Sequence, residues 1–196
     1  MEQSGKKYEF TVETIEVSGR TLHRIKAIRN FGYVKAGALG GFIEKEENLS
    51  HEGNCWVHGN AKVYGNAKVY GNAKVHGNAW VYGYAYVCGN AEVYGNTKVC
   101  DDANICGDAN VCGDAKVCGN AEISMRSDYI VFKNWWSSGR FFTWTRSNNM
   151  WKVGCFYGTG KKLIQKAYKD SEISGREYEK VVRYVESILA DEKKRE

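Results

Sequence analysis

The chain has 196 residues, 43% of them hydrophobic, enough to bury a core and too many for a disordered chain. Its net charge of +5 is uneven: residues 1 to 52 carry eight Lys/Arg against eight Asp/Glu, residues 53 to 123 five against six, and residues 124 to 196 fifteen against nine. No apolar run approaches a membrane span, and the first ten residues carry charges without the apolar stretch of a secretory leader. The expected location is therefore the cytosol, without membrane contact, where seven cysteines suggest reduced thiols rather than a disulfide framework. There is no proline and there are 22 glycines, a balance that suits a regular array of strands and corners.

Residues 8 to 30 alternate in hydropathy and predict a β-hairpin, with Tyr8, Phe10 and Val12 before the turn Ser18-Gly19-Arg20 and a return strand from Leu22 to Ile28. The glycine-rich stretch Gly37 to Ile43 leads to Asn48-Leu49-Ser50. Residues 1 to 52 are expected to cap the repeat array that begins at residue 53, since a solenoid must cover its first coil.

From 53 to 123 the unit Val-x-Gly-Asn-Ala-x repeats with a period of six. An aliphatic residue falls at twelve successive sixth positions from Val57 to Ile123, and a small residue at Ala61 and each sixth position to Ala121, with Thr97 the exception. Six residues make one short strand and one corner, and three units close a triangular coil. The prediction is a mainly β protein: a left-handed parallel β-helix of about four coils, roughly 19 Å tall at the usual strand spacing. Gly and Asn are assigned to the corners because both tolerate left-handed backbone.

Residues eighteen apart then stack in outward columns: His58, His76, Tyr94, Cys112; Tyr64, Tyr82, Cys100, Cys118; and Tyr70, Cys88, Cys106, Ser124. Cys100 with Cys118 and Cys88 with Cys106 fall within the Cα range of a disulfide, but parallel in-register side chains point the same way and suit the bridge dihedral poorly. Packing or subunit contact is the expected role. A flat column offers a metal two ligands where a structural zinc wants four, so no metal site is expected.

Residues 124 to 196 change character and predict a small α+β module. Tyr129 to Trp136, Phe141 to Arg146 and Met150 to Phe156 are expected strands, joined by Ser137-Ser138-Gly139 and Ser147-Asn148-Asn149. A short helix over 161–168 and a longer one over 175–190 come next, the latter capped by Ser174 and Glu177, with Tyr178, Val181, Val182, Val185, Ile188 and Leu189 on one face. This module mixes aromatic rings, which stack on bases, with cations, which pair with phosphates. Arg126, Arg146 and the turn Cys155, Phe156, Gly158, Thr159 are candidate anion contacts, Asp128 is a candidate ligand-site residue beside Arg126, and Trp135, Trp136 and Trp144 are candidate stacking faces. The glycines before the helix at 161 do not have Walker A spacing.

The chain resembles the hexapeptide-repeat left-handed β-helix superfamily, rich in trimeric acyltransferases. More closely it resembles phage and prophage proteins in which Gly40-Gly41-Phe42-Ile43 precedes Gly-Asn-Ala repeats and a short module comes after them with Arg126-Ser127-Asp128 and Cys155-Phe156-Tyr157-Gly158-Thr159. The resemblance implies a homotrimer from a phage or mobile element and supplies no activity; by analogy with similar small phage proteins the expectation is a counter-defence role, holding an anionic nucleotide signal or a host defence protein without a cofactor, and it leans against catalysis. The alternatives are a structural or assembly protein and an acyltransferase using an acyl-coenzyme A. In that last case His76 would be the base, although 53–123 lacks the loop such enzymes insert and His51, His58 and His76 lack an obvious orienting carboxylate.

Overall fold

The computed structural model describes residues 5–134, 136 and 139–194, and the chain divides into two compact units. The first holds residues up to Tyr129 together with Thr145–Asn148; the second holds Ile130–Trp144 and the residues from Asn149 onward.

In the first unit β1 (Tyr8–Val17) and β2 (Arg20–Ala27) form the expected antiparallel hairpin, with Ser18 and Gly19 left-handed at its turn. β3 (Leu39–Ile43) pairs antiparallel with β2 and parallel with the first repeat strand of its face. Twelve two-residue strands, β4 (Trp56–Val57) through β15 (Glu122–Ile123), succeed it at six-residue intervals. They stack into three parallel faces, β5-β8-β11-β14, β4-β7-β10-β13 and β6-β9-β12-β15. This is the left-handed β-helix the period predicts. Val57, Val63, Val69 and their successors through Ile123 are all inward and fully buried, as are the alanines from Ala61 to Ala121. Thr97 fits an alanine site because its hydroxyl donates to the Tyr94 carbonyl at 2.7 Å. A buried polar group with a partner is tolerated.

The coil extends one turn further toward the N-terminus than the repeat does. Phe42 and Ile43 pair with Lys62 and Val63, and Leu49 bridges Val69, so the capping segment supplies inward residues without the hexapeptide pattern. Asn48, fully buried, donates to the carbonyls of Gly65 and Ala67 and closes this irregular turn. About five turns result where the repeats alone give four.

Two readings of the repeat change. The left-handed backbone belongs to the glycines, from Gly53 through Gly119, with Asp101 taking the place of one. The asparagines do different work: Asn54 donates to Asn72 at 3.3 Å, Asn72 to Asn90 at 3.1 Å and Asn90 to Asp108 at 3.0 Å, one ladder up a corner. A second runs from Asn78 to Asn96 and on to Asp114. The cysteine columns also differ from expectation. Cys100 and Cys118, buried, form a disulfide with Cα atoms 4.7 Å apart, whereas Cys88 and Cys106 stay free. Strand spacing itself supplies the Cα separation a bridge needs.

In the second unit the strands β16 (Tyr129–Lys133), β17 (Phe141–Thr145), β18 (Met150–Val153) and β19 (Phe156–Gly158) lie side by side in chain order. Left-handed Gly154 turns the chain between the last two, so the expected third strand is a hairpin. α1 (Gly160–Asp170) is capped by Thr159, and α2 (Glu172–Glu192) by Ser171 rather than Ser174. Phe142, Trp144, Trp151, Val153, Leu163, Val182 and Val185 form the core. Among the described residues no helix is long and apolar enough to cross a membrane.

Candidate functional site

The outward faces of the β-helix gather chemistry because the period stacks like on like. On the face of β4, β7, β10 and β13, two columns run side by side. One carries Trp56, Lys74 and Glu92; the other carries His58, His76 and Tyr94. Tyr33, from the turn closed by the Phe31–Val34 bridge, leans over their N-terminal end. Its hydroxyl lies 2.6 Å from His58 Nε2, and its ring stacks on the imidazole at 5.4 Å between centroids. His76 stacks on Tyr94 at 4.8 Å and 4°. Lys74 Nζ sits 2.6 Å from Glu92 and 5.1 Å from the centre of the Tyr33 ring.

Tyr33, His58, Lys74, His76, Gly77 and Glu92 line a cleft of about 500 Å³. Burial pushes the His58 imidazole down to about 4, with His76 and Lys74 adding to the effect. Burial likewise lowers His76, against the pull of Glu92. It raises the Tyr33 phenol to about 12, Glu92 contributing. Glu92 is held below its ordinary value by the Lys74 hydrogen bond, with His76 and Arg126 assisting. At neutral pH the cleft therefore holds two uncharged imidazoles, a protonated phenol and one ion pair. It can stack a planar ring, exchange neutral hydrogen bonds and present an ammonium to an anion.

The candidates drawn from the sequence fall in two groups. Arg126, Asp128 and Arg146 belong to the first unit. The Asp128 carboxylate accepts from the backbone N–H groups of Ser124 and Met125 at 2.8 and 2.9 Å, closing the turn after the last coil. Arg146 donates to the Ser127 carbonyl at 3.2 Å, and its backbone N–H to the Asp128 carbonyl at 2.8 Å. Arg126 is exposed, and its charge reaches Glu92 of the cleft. The other candidates belong to the second unit. Trp144 is buried and donates its indole N–H to Asn149, so its faces are spent on the core. Trp136 packs edge-on to Tyr178. Cys155 and Phe156 border a cavity of about 30 Å³, far below the size of a ligand site. Gly158 ends β19, and Thr159 accepts from the Lys162 N–H at the helix start. Trp135 lies outside the described residues.

Of the cleft residues, the sequence singled out His58 and His76 but not Tyr33, Lys74 or Glu92. Lys74 and Glu92 are eighteen residues apart, so the same column arithmetic finds them. Tyr33 carries no such signal, because it comes from a turn outside the repeat.

No family model matches the chain. A curated protein of Escherichia coli (strain K12), the uncharacterized acetyltransferase YdcK, is 49% identical over 37 residues. The match covers 19% of this chain and only 11% of that protein's length. Together with the stacked coils it fits a hexapeptide-repeat β-helix.

Proposed function

We propose that this chain is a non-catalytic β-helix protein that binds a nucleotide in the Tyr33–His58–His76 cleft. The supporting observation is the composition of that cleft: ring faces, neutral hydrogen-bonding groups and the Lys74 ammonium in about 500 Å³, within the usual size of small-molecule sites. A base would stack on Tyr33 and its phosphate would draw Lys74 from Glu92, with Arg126 adding positive field along the same face. In the phage setting that the sequence resemblance implies, holding a host nucleotide signal needs no chemistry and would serve counter-defence. Three clefts per homotrimer are part of the same proposal.

Calorimetric titration with AMP, ATP and a cyclic dinucleotide tests it. At least one should bind, Tyr33→Ala should weaken that ligand at least about tenfold, the worth of one good stacking face, and Glu92→Gln should strengthen it. Binding by none of the three, or binding unchanged in Tyr33→Ala, would contradict the proposal.

A second reading, acetyl transfer, is favoured by the partial match to an acetyltransferase and by the uncharged imidazoles, the form a general base requires. It has His76 accept the acceptor's proton. Acetyl-coenzyme A consumption that His76→Ala abolishes would support it and displace the first reading.

A further inference from the structure

Away from the cleft, a lysine and a cysteine are sealed together at the N-terminal end of the first unit. Lys7 and Cys55 are each fully buried, and Lys7 Nζ lies 3.2 Å from Cys55 Sγ. Lys7 also donates to the Cys55 carbonyl at 2.8 Å and, at longer range, to the carbonyls of Glu52 and Gly53. The Phe31 ring lies 5.0 Å away on another side. Nothing in the proposed function uses this pair. A lysine cage of carbonyls alone would be a structural plug, but the sulfur brings a nucleophile and an oxidisable atom within contact of each other.

We infer that Lys7 and Cys55 form an oxidation-driven covalent link, a sulfenamide that ties the start of β1 to the first coil. The oxidant is hydrogen peroxide, which reaches buried thiols through local opening. Its O–O bond breaks as Sγ is oxidised to the sulfenic acid, and one water leaves. Lys7, once it has given up its ammonium proton, then attacks Sγ as the amine: the Nζ–Sγ bond forms, the S–O bond breaks, and the hydroxyl leaves with a proton from nitrogen as a second water. Sulfur loses two electrons and the peroxide gains them. Burial lowers the Lys7 amine from its ordinary range, toward the form that attacks; it raises the Cys55 thiol, which slows oxidation, while the Lys7 contact pulls the thiol back toward the thiolate that peroxide oxidises.

The test is peroxide treatment of the full-length protein, tryptic digestion without reductant and mass spectrometry. The expected product is a peptide pair joined through Lys7 and Cys55, uncleaved after Lys7, lighter by about 2 Da than the two peptides together, and separated again by dithiothreitol. Cys55 recovered as a free thiol, or as a sulfinic or sulfonic acid with Lys7 unlinked, would overturn the inference. A link that retains oxygen would overturn the condensation step. Lys7→Met, checked for fold by circular dichroism, should lose the link and pass Cys55 on to the sulfinic acid; because the wild-type peptides alone decide the matter, a variant that fails to fold leaves the test intact.

Discussion

Tyr33 stands half exposed over an imidazole that burial keeps uncharged, and that pairing has a pH signature. His58 falls from an ordinary 6.5 to about 4 on folding. Between those values the unfolded chain binds a proton the folded one refuses, so stability falls as pH drops from 6.5 toward 4 and then levels from this source. His76 shifts in the same direction and adds to the slope. Urea midpoints measured from pH 7 to 4 should decline over that window, and His58→Gln should flatten the decline; an equal slope in the variant would place its origin elsewhere. Residue-scale chemistry was only half legible in the sequence. The histidine column came from counting, but its low pKa depends on Tyr33 covering it, and a turn outside the repeat gives counting nothing to hold.

Elements in both units depend on positions that admit only a small side chain. In the β-helix the corner alanines are small because the coil closes there: Ala85 is fully buried, and Ala85→Leu should destabilise the first unit by about 1–3 kcal/mol in chemical denaturation, the usual cost of overpacking. In α2 the demand falls on Gly175, where an added Cβ would collide with the Tyr168 ring. Glycine to alanine inside a helix ordinarily stabilises by up to about 1 kcal/mol. Here the sign reverses, and Gly175→Ala should lower the midpoint of the second unit. A rise would mean that Tyr168 swings away at no cost. This same contact explains why the helix start was misplaced in the sequence. Ser174 with Glu177 has the spacing of a capping box, yet Gly175 is needed inside the helix against Tyr168, and Ser171, whose side chain accepts from Ser174 N–H at 3.1 Å, takes the cap. The repeat strands were placed correctly because their period fixes both strand and facing; the second unit has no period, and its fourth strand was hidden by the turn at Gly154.

For the whole first unit, stacking makes each coil exchangeable with its neighbours. Coils bond through regular backbone contacts such as Trp56 N–H to the Ala73 carbonyl at 3.0 Å and Lys62 N–H to the Ala79 carbonyl at 2.9 Å. Deleting residues 96–113 removes one full coil and joins Gly95 to Asp114 in phase, so the shortened chain should still unfold cooperatively with β-type circular dichroism. Loss of the cooperative transition or of the β-type signal would contradict coils that stack independently of their number. The cleft sits on one such face, and the proposed function stands or falls with its occupancy by a nucleotide. Four histidines give that occupancy a direct probe: imidazole-detected NMR during titration with AMP, ATP and the cyclic dinucleotide. A nucleotide that binds should shift His58 and His76 together, with one half-saturation point, while His23 and His51 stay in place. Saturation with all three that leaves His58 and His76 unmoved would contradict nucleotide binding in the cleft.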